Sequence, residues 1–160
     1  MVDSNKIIHE YRLLNESERI EFLRRFDIAL DVNLAEFLLK EVEDKSCDDI
    51  LRIEAVKVLG LYKGNYDDAF IKNAIFELVR SDEDDYISQN AIDSLSLMNI
   101  GDKEIRFAQE VLKGSYFCHV KYSAFYLLKK HKDIPLAKKI LHDLLDDKEF
   151  GMSAKRILDQ

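Results

Sequence analysis

The sequence predicts an all-α protein, a stack of antiparallel helix pairs with about eight or nine helices. Three observations carry this. The 160 residues hold one Pro and five Gly, so helix breakers are scarce and straight-chain helix formers dominate. A small residue returns at a near-constant interval, as Ala55, Ala91, Ala124 and Ala154, spaced 36, 33 and 30 residues apart. An aliphatic residue stands thirteen positions before each alanine, at Val42, Leu78, Val111 and Leu141. Two registers at one interval mark a structural repeat.

The elements follow in chain order. Residues 1–33 carry two apolar stripes, Ile7, Ile8, Tyr11 and Leu14, then Leu23, Phe26 and Leu30. Both have helical spacing, and they predict a degenerate helix pair that caps the stack. From residue 34 onward, amphipathic segments at about 34–44, 67–80, 102–113 and 135–146 hold the thirteen-back aliphatics. Each is followed by an alanine-bearing segment, the last at 147–158. In the alanine-bearing segments the apolar residue, the Ala and the Leu stand four apart and share one face. A single pair cannot bury that stripe, so neighbouring pairs must stack, giving one domain over 1–160. Asn15 with Glu18, and Asn33 with Glu36, have capping-box spacing. Gly64, Gly101 and Gly114 stand where helices want a left-handed residue after their ends. Pro135 falls in a first helical turn, where its missing N–H costs nothing.

Composition narrows the function. No apolar run is long enough to span a bilayer, and the first residues lack the charged-then-apolar order of a signal peptide. A cytoplasmic location is expected. Cys47 and Cys118 are far apart, with no paired-ligand spacing, and read as free, buried thiols. Net charge is −7. It is uneven: residues 1–100 hold 12 Lys/Arg against 22 Asp/Glu, and residues 101–160 hold 12 against 9. The phosphate attraction that dominates nucleic-acid binding is therefore opposed, whereas a basic protein is attracted.

The most complete repeat, Asp48 to Gly60, has the pattern D-x-x-φ-R-x-x-A-x-x-x-L-G. It resembles HEAT repeats, especially the short bacterial type, over about residues 34–158. Arg52 and Lys121 keep the pattern's basic position; Ser88 and Gly151 depart from it. The resemblance implies a right-handed α-solenoid and a binding role. Some HEAT-like proteins resemble bilin lyases or DNA glycosylases, and small stand-alone bacterial ones look like immunity proteins that neutralise toxins.

The chain offers no catalytic constellation. His9, His119, His131 and His142 form no metal-binding pair, and glycine-rich phosphate loops and nucleophile elbows are missing. No cofactor or metal is expected. Acids concentrate at the turns between paired segments. Asp48, Asp84 and Asp147 stand seven before an alanine, where they suit helix N-caps. Asp49, Asp82, Glu83 and Asp85 exceed what capping needs. They, with Tyr86, fit a ridge for a basic partner or a solvated edge. The third turn is aromatic instead. Phe117, Val120, Ala124 and Leu128 run down one core face, and Tyr116 and Tyr122 suit exposed interface anchors or core filling.

The expected function is a non-enzymatic protein-binding module, monomeric when free. Within that class, small size and acidity point to a bacterial immunity protein that blocks a basic, nuclease-like toxin. A general scaffold or assembly subunit is the alternative. A glycosylase-like enzyme needs a basic cleft, and this acidic chain has no Trp.

Overall fold

The computed structural model describes residues 3–62, 66–81 and 83–160. Asp82 of the expected ridge and Gly64 lie outside them. The described residues form ten helices and no strand: α1 Ser4–Arg12, α2 Glu16–Arg24, α3 Val32–Glu43, α4 Asp49–Leu61, α5 Ala69–Arg80, α6 Asp85–Leu95, α7 Asp102–Lys113, α8 Cys118–Lys130, α9 Pro135–Asp143 and α10 Gly151–Leu158. Ten exceeds the expected eight or nine; the segments named from the sequence, a capping pair, four amphipathic segments and four alanine-bearing ones, each form one helix. None is long and apolar enough to cross a membrane, among the described residues. The chain divides into two compact units, 1–98 and 99–160.

In the first unit each helix packs on the second helix after it. α1 meets α3, α3 meets α5, α2 meets α4, and α4 meets α6; α3 also packs on α4 and α5 on α6. Odd and even helices therefore form two layers, as alternate apolar stripes require. Ala55 and Ala91 are fully buried, and so are Leu51, Leu59, Ile87 and Leu95. Small residues let α4 and α6 approach closely. A Cβ on Gly60 would stand 2.8 Å from Ser94 Cα. In the second unit α7 packs on α8 and α9, α9 on α8 and α10. Its register residues Val111, Ala124, Leu128, Leu141 and Ala154 are buried.

Capping follows the sequence in part. Asp48 accepts from the Ile50 N–H at 2.8 Å, and Asp84 accepts from the Tyr86 N–H at 2.9 Å. Asp147 accepts from the Glu149 and Phe150 N–H groups, one turn ahead of α10. Asn15 and Glu18 form the expected capping box, and Pro135 opens α9. Asn33 differs. Asp31 caps α3, and Asn33 donates instead to Ser4 Oγ at 2.9 Å and to Asn5. Gly101 is the N-cap of α7, its N–H bound by the Glu104 carboxylate. Gly114 ends α7 in an extended conformation, φ −84° and ψ 179°. Its lack of a Cβ makes room for the Tyr116 ring, which a Cβ would meet at 2.7 Å.

Candidate functional site

Two surfaces carry the residues singled out from the sequence, one in each unit. The first is the edge of unit 1 formed by the turns that precede α2, α4 and α6. Side chains clip these turns together. Glu16, in the first turn of α2, accepts from the Asp48 N–H at 3.2 Å. Arg52 on α4 does more. It stands one turn before the buried Val56 and two before the buried Leu59, on the same face of α4, so its guanidinium enters the core, where it is only 2% exposed. A buried charge needs a counter-ion and filled hydrogen bonds. Arg52 Nε donates to the Val42 carbonyl at 2.8 Å. Its two terminal nitrogens donate to Glu83 at 3.2 and 2.7 Å, a bidentate pair.

This pairing changes the reading of Glu83. The sequence places it on a ridge for a basic partner or on a solvated edge; the structure turns its side chain inward, 8% exposed, where it neutralises Arg52. Hydrogen bonding from Arg52 holds the Glu83 carboxyl below its ordinary range, against the opposing effect of burial. Glu83 also accepts from the Asp84 N–H. Sequence reasoning had a usable signal here: an Arg at a core register position demands an acid, and the next turn supplies it.

Asp49, Asp85 and Tyr86 face solvent. Asp49 is 62% exposed, though it approaches Arg52 Nη1 at 3.5 Å. Ile50, which the sequence did not single out, is also exposed. Ile50 and Tyr86 stand five residues before Ala55 and Ala91, so they occupy equivalent positions on α4 and α6. Each follows an exposed acid. Cys47 lies at the same turn and is half-buried, not buried as expected. Burial, then the neighbouring Glu41 and Asp44 charges, push its thiol up to about 11, so it is a poor nucleophile.

The second surface is the aromatic start of α8 in unit 2. Phe117 was expected in the core but is 50% exposed. It is the N-cap residue, with extended backbone, so the helical periodicity that buries Val120 and Ala124 does not govern its direction. Its ring lies 5.3 Å from His119, which lies 6.2 Å from Tyr122. Tyr122 meets Phe150 edge-on at 5.7 Å, and Phe150 stacks on Phe125 at 4.9 Å. The ladder thus runs from buried Phe125 and Phe150 to exposed Tyr122 and Phe117. Tyr126, one turn beyond Tyr122, is exposed too. Tyr116 is half-buried against Gly114. Hydrogen bonding to Glu149, helped by that carboxylate's charge, raises the Tyr122 hydroxyl.

Among the described residues no group of three or more His, Cys, Asp or Glu side chains could hold a metal ion. Compared with protein-family models, curated proteins and solved structures, the chain finds no match.

Proposed function

We propose that this protein is a non-enzymatic binding module, a right-handed HEAT-like solenoid that receives a basic protein along the acidic edge of its first unit. Within that class it is a cytoplasmic immunity protein, monomeric when free, that blocks a basic, nuclease-like toxin. One observation supports this most: the exposed pairs Asp49–Ile50 and Asp85–Tyr86 repeat at equivalent positions on α4 and α6. The buried Arg52–Glu83 pair fixes those turns to each other. An apolar anchor beside a carboxylate suits a basic partner, since the anchor supplies desolvated contact area and the acid steers encounter. The excess of 22 acids over 12 bases in residues 1–100 acts in the same direction.

The experiment pairs the protein with the product of the adjacent reading frame. Co-expression should protect cells from that product. Asp49→Lys with Asp85→Lys should slow association and flatten its dependence on salt, with helical content unchanged. The reading fails if the neighbour is no toxin and the protein protects cells from none. A stable complex with housekeeping subunits would instead favour the scaffold role.

A further inference from the structure

The aromatic start of α8 has a carboxylate at its side. Phe117, Tyr122 and Tyr126 each expose about half of their surface (50%, 48% and 51%). Single exposed apolar residues are ordinary, but a contiguous aromatic group is not. His119 lies between Phe117 and Tyr122, within ring-contact distance of both. The ladder is anchored from below, because Phe150 holds the edge of Tyr122 and is itself stacked on Phe125. Such rings lose little freedom when a partner settles on them. Glu149, adjacent to Phe150 in sequence, lies at the Tyr122 hydroxyl and is exposed.

The charges around the patch are mixed. Asp146 and Lys148 are exposed in the same turn as Glu149, and Lys121 is half-buried on α8. Asp147 is occupied, its carboxylate accepting two backbone N–H groups at 2.8 and 2.9 Å. Glu149 forms no salt bridge among the described residues, and the Tyr122 hydroxyl neutralises none of its charge. A purely apolar occupant would strip water from this carboxylate without replacing it, which is costly. A cation satisfies both the ring faces and the carboxylate. A planar guanidinium does so better than an ammonium, because it stacks on aromatic faces while its edge donates to an oxygen pair.

We infer that the Phe117, His119, Tyr122 and Glu149 patch is a receptor for an arginine side chain of the partner protein. It rests on the protein-binding reading above but uses a different surface from the acidic edge. The guanidinium stacks on the Tyr122 or Phe117 face and donates to Glu149, displacing or sharing the Tyr122 hydroxyl.

The test titrates the full chain with Nα-acetyl-arginine methylamide and, separately, with its lysine counterpart, following the aromatic resonances of Phe117, His119 and Tyr122. Arginine should give saturable shifts on these rings and bind about 2-fold more tightly than lysine, which makes the cation–π contact without the planar stacking and two-nitrogen fit of a guanidinium. Glu149→Gln should remove that preference, and Tyr122→Ala should remove most of the response while the Phe125 and Val120 signals keep their native positions. Asp49→Lys with Asp85→Lys should leave it intact, which separates failure of the acidic edge from failure of this patch. Equal response to arginine and lysine, no response, or an arginine preference that survives Glu149→Gln would overturn the inference.

Discussion

Glu83→Ala is the most informative single change in the molecule. It removes the counter-ion of a guanidinium that is 2% exposed. At 2.7 Å and an effective dielectric constant of about 20, the direct attraction is on the order of 6 kcal/mol. Most of that is offset by the cost of taking both charges out of water. Removing one partner, however, leaves the other buried and unpaired, which costs about 3–5 kcal/mol. Two groups soften the loss here. The Val42 carbonyl keeps its hydrogen bond to Nε, and Asp49 stands 3.5 Å from Nη1. The expected cost is therefore at the lower end, about 3 kcal/mol. In urea unfolding followed by circular dichroism the midpoint should fall by about 1–3 M. Arg52→Met combined with Glu83→Leu should recover most of the loss, since apolar replacement of both partners removes the desolvation penalty too. A loss under about 1 kcal/mol for Glu83→Ala, or a double variant no more stable than the single one, would refute the role given to this pair.

The same pair sets a pH dependence. Glu83 is held below the ordinary glutamate value of about 4.3, first by its hydrogen bonds from Arg52. Its stabilisation is thus complete above that value and is lost as pH falls through the lower native one. The Arg52→Met, Glu83→Leu variant should lose less stability than the parent over that acid range, measured by urea midpoints at successive pH values. Gly60→Ala should destabilise despite Ala's better helix propensity. The new Cβ would stand 2.8 Å from Ser94 Cα and Cβ, and overpacking of about 1–3 kcal/mol outweighs a gain of about 1 kcal/mol; a thermal melt that rises would contradict this. Asp84→Ala removes the acceptor of two N–H groups at the start of α6 and should cost about 1 kcal/mol, read as a lower urea midpoint with an unchanged slope. Leu59→Ala opens a cavity at a position 1% exposed and should cost about 2–5 kcal/mol by the same measurement.

The residues that could be placed from sequence share one property: their role depends on spacing along the chain. The four alanines and their thirteen-back aliphatics are buried, because helical geometry puts residues four apart on one face. Asp48 and Asp84 cap because a cap is decided within three residues. Where the periodicity stops, so does the inference. Phe117 lies one residue outside α8, and extrapolating the helical face to it puts a half-exposed ring in the core. Asn33 has capping-box spacing, but Asp31 stands at the helix start and α1 offers Asn33 better partners in Ser4 and Asn5.

The two candidate surfaces divide the same way. From sequence alone, Asp49, Asp85 and Glu83 are equivalent acids at neighbouring turns. Only the packing of α4 against α6 separates them, by carrying Arg52 to Glu83 across 31 residues of chain and leaving the other two in water. Likewise, the aromatic density of residues 116–126 is visible in the sequence, but its continuation through Phe150, and the placing of Glu149 beside Tyr122, depend on the turn before α10 folding back onto α8. The sequence by itself determined that the chain is helical and that the four alanines and their thirteen-back aliphatics are buried, because those follow from local propensity and period. The tertiary structure decided which polar side chains tie the helices together and which remain in water, because a charge's role is set by what surrounds it and those surroundings come from distant segments.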